Sequence, residues 1–329
     1  MKKIIRSFNF LLPVFLLAQL NSFAQEEKKE QKKYEFVKNK SVNKSYNVSA
    51  SEKLNIKNSF GSVEVHTWNK NEIKVDISIE VSANSESLAQ KIIDGISVND
   101  GQSGGEVSFK TNIKGNDNSK DGKSTMSVNY TVSMPSSNPL HLSNEFGATV
   151  LPDMNGEVDL SSKFGSLTAG ALTNIKNIDV EFGKADLAGI SSGTLNVKYS
   201  KLNVAKMSGN IKMNLEFCGK AKLNYGSSLT GLDIKSSYSS LNLVPSGDPS
   251  IAYNISTNFG SFKNNSNAKM DTEKEGEHGP NFDHSYSGKS GGGNVSVKVK
   301  SSFGKVILGE ASEEEMKEKT KSKHKTASI

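Results

Sequence analysis

One short frame recurs nine times along this chain: an aromatic residue, in most copies followed by glycine, set among alternating apolar residues. The aromatics are Phe60, Phe146, Phe164, Phe182, Tyr199, Phe217, Tyr238, Phe259 and Phe303, and from Phe146 to Phe259 the steps are 18, 18, 17, 18, 21 and 21 residues. A period of this length with one strand-like motif per repeat predicts a stack in which no repeat buries its apolar face alone. The predicted fold class is all-β: a parallel β-helix or solenoid of about 18–21 residues per coil, preceded by a less regular β-rich segment with one short helix.

Within each frame, apolar residues stand at −6, −4 and often −2 from the aromatic, then at +3 and +5. Around Phe182 they are Ile178, Val180, Ala185 and Leu187; around Tyr238 they are Leu232, Ile234, Leu241 and Leu243. Period two before the aromatic predicts a half-buried strand. The change of phase after it predicts a bend, with glycine supplying a positive φ or a bulge. Serine replaces that glycine at Ser200 and Ser239, and Cys218-Gly219 follows Phe217 as a one-residue insertion. The aromatics fall in phase with Ile, Val and Leu, so they are expected to fill the coil interior. On that expectation Phe182→Ser costs about 3–5 kcal/mol. The residues just before five of them, Glu145, Lys163, Glu181, Lys198 and Glu216, alternate in sign. Stacked in parallel register they are expected to form a structural charge ladder that penalises slippage by one coil.

The organisation follows from these segments. Residues 1–24 read as a secretory signal peptide: Lys2, Lys3 and Arg6 precede an apolar stretch from Phe8 to Leu20, and Ser22-Phe23-Ala24 sets cleavage after Ala24. About 13 apolar residues cannot span roughly 30 Å of hydrocarbon, and no transmembrane segment is expected elsewhere. The protein is therefore expected to be exported, to the periplasm or the outer cell surface. Residues 25–44 read as a charged, disordered leader and 45–135 as the β-rich N-terminal part. Its helix is predicted over Ser87 to Asp94, with Ser87 and Gln90 as a capping box and Gly95 as the stop. Repeats occupy 136–310, interrupted by a polar loop at 264–293, after which Val295 to Leu308 adds a closing repeat. Residues 311–329 read as a charged, disordered tail.

Little chemistry stands out. The formal charge of +6 falls to +3 without Lys2, Lys3 and Arg6, and Arg6 is the only arginine. That argues against nucleic acid as a partner, because bidentate phosphate and guanine recognition is arginine's task. Cys218 is the sole cysteine, so no internal disulfide forms. Gly122-Lys123-Ser124 and Gly288-Lys289-Ser290 lack the upstream glycine of a phosphate loop, having Asp117 and Asp283 there. The histidines (His66, His141, His278, His284 and His324) include no i, i+4 pair. The spacing of His278, Asp283 and His284 reads as an exposed loop before it reads as a metal site. No catalytic residue, cofactor-binding residue or metal ligand is predicted, and no cofactor. The enzymatic alternative is a polysaccharide lyase or glycoside hydrolase, for which Asp159, Asp179 and Glu181 are the candidate carboxylates. Trp68 stands near the first bend and is a candidate for an exposed ring.

Laid out this way, the chain resembles the bacterial putative-adhesin β-strand-repeat family, common in Bacteroidota. The likeness rests on Leu54-Asn-Ile56-Lys-Asn-Ser-Phe60-Gly61-Ser-Val63, on the strand ending at Met134-Pro135, on the Phe-Gly bends, and on Gly291-Gly292-Gly293 followed by Ser302-Phe303-Gly304-Lys305-Val306. It covers roughly residues 45–310 and implies an exported, non-enzymatic parallel β-solenoid of unknown function, named for adhesion. The expected role is an adhesin-like or envelope scaffold module with a polar, glycan-type partner. An envelope sensor working with a membrane regulator is the further alternative.

Overall fold

The computed structural model describes residues 34–114, 122–272 and 282–316. The signal peptide, its cleavage site, His278 and His324 lie outside the described residues. What is described is all-β apart from two short helices, with every strand joined into one mixed, open sheet.

The first part contains β1 (Phe36–Asn47), β2 (Lys53–Ser59), β3 (Val63–Thr67), β4 (Glu72–Ala83), α1 (Glu86–Asp94), β5 (Ile96–Ser103), β6 (Glu106–Ile113) and β7 (Ser124–Met134). Antiparallel pairs dominate here: β1 with β4, β4 with β7, and β5 with β6. Residues 36–44, expected to be disordered, instead lie in β1, paired with β4 from Phe36↔Ala83 to Asn47↔Glu72. Only Val42 and Tyr46 pack on the core from β1 among its apolar side chains, while Lys38, Lys40 and Lys44 line the strand. Such a lysine-rich strand suits a sheet edge, where charge discourages further pairing. The helix is capped by Ser85, whose hydroxyl accepts from the Leu88 amide, and not by Ser87. It buries Ala89 and Ile93 and ends at Gly95.

From β8 (Leu140–Glu145) onward the pairing between repeats is parallel. Next come β9 (Thr149–Leu151), β10 (Met154–Lys163), and the long strands β11 (Ser166–Glu181), β12 (Lys184–Lys198), β13 (Lys201–Glu216) and β14 (Lys220–Ser237). Each long strand follows one aromatic and leads to the next, so its two halves belong to different runs of pairing. Segments preceding the aromatics pair in the order β6, β2, β8, β10, then the second halves of β11 to β14. Segments following the aromatics pair in the order β7, β3, β9, then the first halves of β11 to β14. Register shifts mark the middle of each long strand, where the chain passes from one run to the other. The residues at −4, −2, +3 and +5 around Phe182 are all buried in one continuous core. Alternation along both halves thus makes a single apolar interior, stabilised by roughly 25 cal/mol per Å² of apolar surface removed from water.

The far end departs from the expected order. It contains β15 (Ser240–Pro245), β16 (Ile251–Asn258), β17 (Ser261–Asn264), β18 (Lys269–Thr272), β19 (Asp283–Ser290), β20 (Val295–Ser302), β21 (Lys305–Leu308) and α2 (Glu313–Met316). The repeat of β20 and β21 does not close the stack. It lies between β14 and β16 on one run and between β15 and β17 on the other. The stretch read as a polar loop supplies β18 and β19, an antiparallel pair that continues the sheet from β16. Tyr286 and Met270 pack against the core from these strands, enough to anchor them though too few to show as alternation. Residues 311–316, expected to be disordered, carry α2, whose Met316 is buried. Asn265 donates to the Glu310 carbonyl and Asn242 to the Gly309 carbonyl nearby.

Candidate functional site

The frame aromatics do not fill the interior. All nine are exposed, between 37% and 51% of their surface, and they stand on the outer edge of the bend. The cause is backbone geometry: each has φ between 48° and 62°, the left-handed region. A residue in that conformation turns its side chain away from the side that period two assigns to it. The buried neighbours at −2 and −4 point in, and the aromatic points out. Left-handed φ costs a non-glycine residue roughly 1–2 kcal/mol. Two kinds of contact offset it. The amide of eight of the nine bonds the carbonyl of the residue preceding the next aromatic in the stack, as in Phe146 to Lys163 (2.9 Å), Phe164 to Glu181 (2.9 Å) and Tyr199 to Glu216 (2.9 Å), and the Phe259 amide bonds the Phe282 carbonyl (3.0 Å). The rings also stack on one another.

The stack runs Phe60, Phe146, Phe164, Phe182, Tyr199, Phe217, Tyr238, Phe303, Phe259 and Phe282, with centroids 4.4–5.1 Å apart. Along most of it the planes are within 9° of parallel. Planes in contact are about 3.5 Å apart, so these rings are offset in the way their quadrupoles favour. Phe282, at the mouth of β19, is a tenth ring that sequence reasoning missed, because no alternating frame precedes it. A sugar platform needs an open ring face. Here each inner ring has both faces covered by its neighbours, and only edges meet solvent.

Glycine after the aromatic serves close approach and not positive φ. A Cβ on Gly147, Gly165 or Gly183 would lie 1.9 Å from the carbonyl oxygen of the equivalent glycine one repeat before it. None of these three has positive φ. Where serine replaces glycine, its hydroxyl enters the same ladder. Ser200 Oγ accepts from the Gly183 amide (2.9 Å) and donates to the Lys198 carbonyl (2.7 Å). Ser239 Oγ accepts from the Cys218 amide (2.9 Å) and donates to the Ser237 carbonyl (2.8 Å). Cys218 itself is buried, its thiol donates to the Val197 carbonyl (3.3 Å), and burial pushes its pKa up. A raised thiol pKa is the opposite of what a nucleophile needs.

Beside the ring stack, Glu145, Lys163, Glu181, Lys198 and Glu216 occupy one column, each opposite the next in register. Ion pairs join Lys163 to Glu181 (3.4 Å) and Lys198 to Glu216 (3.3 Å). The next outward column carries a chain of amides: Asn214 donates to Asn196 (2.7 Å), and Asn196 donates to Asn177 (3.0 Å) and to Asp179 (2.8 Å). Asn177 donates in turn to Asp179 (2.7 Å). The candidate catalytic carboxylates sit in neighbouring repeats, each with its own partners. Asp159 meets Lys176 (3.1 Å) and His141 Nδ1 (3.4 Å), Asp179 takes the two amides, and Glu181 takes Lys163.

Trp68 is half-buried, donating to the Glu72 carbonyl (2.8 Å) beneath the Lys70 ammonium. Tyr130 is buried beside Thr111 (2.8 Å), and burial pushes its hydroxyl up to about 12. Thr111 also donates to Asn58, which donates to Asn144 (3.1 Å), forming a satisfied polar network inside the first repeats. Lys123 and Lys289 of the two glycine-lysine-serine triplets lie at or beside strands, not in a phosphate cradle. Among the described residues, no three His, Cys, Asp or Glu side chains form a group fit to hold a metal ion. No helix among them is long and apolar enough to cross a membrane.

No family model and no curated protein matches the chain. Among solved structures it is similar to a "putative cell adhesion protein" from Clostridium sporogenes, at 13% identity over 83% of this chain and 100% of that one, with a TM-score of 0.24. A "putative adhesin" from Bacteroides fragilis matches at 10% identity over 82% and 97%, with a TM-score of 0.27. A "putative lipid binding protein" from Parabacteroides distasonis matches at 12% identity over 82% and 97%, with a TM-score of 0.29. At such TM-scores the likenesses carry no argument about function.

Proposed function

We propose that this chain is an exported β-solenoid of the bacterial envelope that works by binding and not by catalysis. It is an adhesin-like or scaffold module, and it presents the outward face before each aromatic to an extended, polar, glycan-type ligand. One observation carries the reading. On that face Asn, Asp, Lys and Ser side chains recur in columns at the spacing of neighbouring strands, about 4.8 Å. A polymer of regularly spaced hydroxyls and charges suits such a lattice. Catalysis is disfavoured because Asp159, Asp179 and Glu181 are each already engaged by amide or cationic partners within the columns of the sheet. The ring stack contributes stiffness, since its faces are taken up internally.

The test is a panel of immobilised bacterial and host polysaccharides, read for retention and for chain length after incubation. Retention with unchanged chain length is expected. Release of shorter saccharides would establish the enzymatic alternative, and retention on no member of the panel would remove the binding reading. Export is tested separately by sequencing the N-terminus of the protein recovered outside the cytoplasm, which is expected to begin at Gln25.

A further inference from the structure

On the outward face of the far end, lysines accumulate. Lys235 and Lys300 are direct neighbours in the parallel pairing of β14 with β20. Lys269 and Lys289 are direct neighbours in the antiparallel pairing of β18 with β19. Like charges placed opposite each other destabilise a strand pair. The column of Lys163, Glu181, Lys198 and Glu216 alternates in sign, whereas Lys57 and Lys110, and Lys184, Lys201 and Lys220 on the opposite run, align in the same way as these lysines. Lys298 lies two residues from Lys300 on the same face, in the row that runs from Asn254 through Asp233 to Lys212. All six lysines are exposed, and none has an ion pair among the described residues. Only Asp233 and Asp271 interrupt them within these rows.

The surface there is also concave. A cleft of about 880 Å³ is lined by Lys269, Lys289, Lys298, Asn254, Ser287 and Ser296, with Asp248 and Asp271 among its other walls. Lys269 to Lys212 spans five strand spacings, a track of about 24 Å.

From this placement we propose that the cleft and the rows beside it bind an acidic polysaccharide, carboxylated or sulfated, laid across the strands. Lysine supplies point charges to anionic groups, and the Asn and Ser side chains between supply partners for sugar hydroxyls. Single-stranded nucleic acid fits less well. Its recognition depends on aromatic faces for base stacking, and the one aromatic of the cleft wall, Tyr253, is buried. This inference deepens the glycan-binding reading above and rests on it.

The experiment measures binding of the purified chain to polygalacturonate, with neutral dextran and a single-stranded oligonucleotide as comparison probes. The variants are Lys298→Glu/Lys300→Glu and, on the opposite run, Lys201→Glu/Lys220→Glu, with circular dichroism establishing that both stay folded. Polygalacturonate is expected to bind in a salt-dependent manner, at least tenfold more weakly to the first variant and within twofold of normal to the second. Equal affinity of all three proteins overturns the proposal, as does tighter binding of the oligonucleotide. Binding of neutral glycans alone overturns the acidic-ligand inference and leaves the broader binding role standing. Failure on every glycan removes both.

Discussion

Phe182 shows how one backbone angle decides a residue's role. Its φ of 55° turns the ring outward, between Phe164 and Tyr199 at 4.9 and 4.8 Å. Removing the ring forfeits two stacking contacts of about 0.5–1.5 kcal/mol each and creates no cavity. Phe182→Ala is therefore expected to cost about 1–3 kcal/mol in chemical denaturation, below the 3–5 kcal/mol of a core position. Phe182→Gly should be less costly than Phe182→Ala, by about 1 kcal/mol, because glycine adopts left-handed φ freely. A core residue shows the reverse order. The neighbouring glycine has the opposite sensitivity. Gly165→Ala sets a methyl group 1.9 Å from the Gly147 carbonyl oxygen, and it should destabilise by about 2–3 kcal/mol or prevent folding, as followed by melting temperature. Period two was readable in the sequence, and it assigned the −4, −2, +3 and +5 residues correctly to the interior. The aromatic went wrong because side-chain alternation holds only while φ stays negative; the change of phase marked the bend, but the positive φ expected of the following glycine belongs to the aromatic.

At the scale of elements, the strands rest on register and the helix on its cap. Lys163 stands between Glu145 and Glu181 in neighbouring strands. Lys163→Glu aligns three acids and is expected to lower the melting temperature more than Lys163→Ser, with the difference shrinking at high salt. Equal losses at both ionic strengths would mean that the column adds nothing. For α1, Ser85→Ala should cost about 1 kcal/mol while Ser87→Ala stays within a few tenths, because only Ser85 Oγ accepts from a first-turn amide. The helix itself was legible from Leu88, Ile92 and Gly95. Its cap was displaced because Ser85 and Ser87 are both plausible by type, and the fit of Gln90 to a capping box favoured the wrong one. Strands β1, β18 and β19 were missed for a different reason. They lie at the sheet's margins, bury few side chains each, and so leave little alternation to read.

For the whole molecule, the chain's route matters more than its repeat length. The repeats from Phe146 to Tyr238 stack in sequence order, which a regular period makes readable. Beyond Tyr238 the order breaks, since Phe303 stacks on Tyr238 at 4.9 Å and on Phe259 at 5.1 Å. No periodicity encodes that insertion. The intervening strands β18 and β19 give the chain the length to turn back and enter from beyond β16. That route also gathers Lys269, Lys289, Lys298 and Lys300, separate in sequence from Lys212 and Lys235, onto one face. The candidate site was therefore invisible to a reading that treated 264–293 as a loop.

Paired cysteines test this route most directly, in a background where Cys218 is serine. Tyr238→Cys/Phe303→Cys places two thiols on adjacent strands about 4.8 Å apart, within reach of a disulfide. Tyr238→Cys/Phe259→Cys places them two strands apart, about 9.6 Å, beyond that reach. Mild oxidation of the folded protein should cross-link the first pair and leave the second reduced, although the second is far closer in sequence. Cross-linking of the second pair without the first would contradict the inserted repeat and the continuous outer stack of rings.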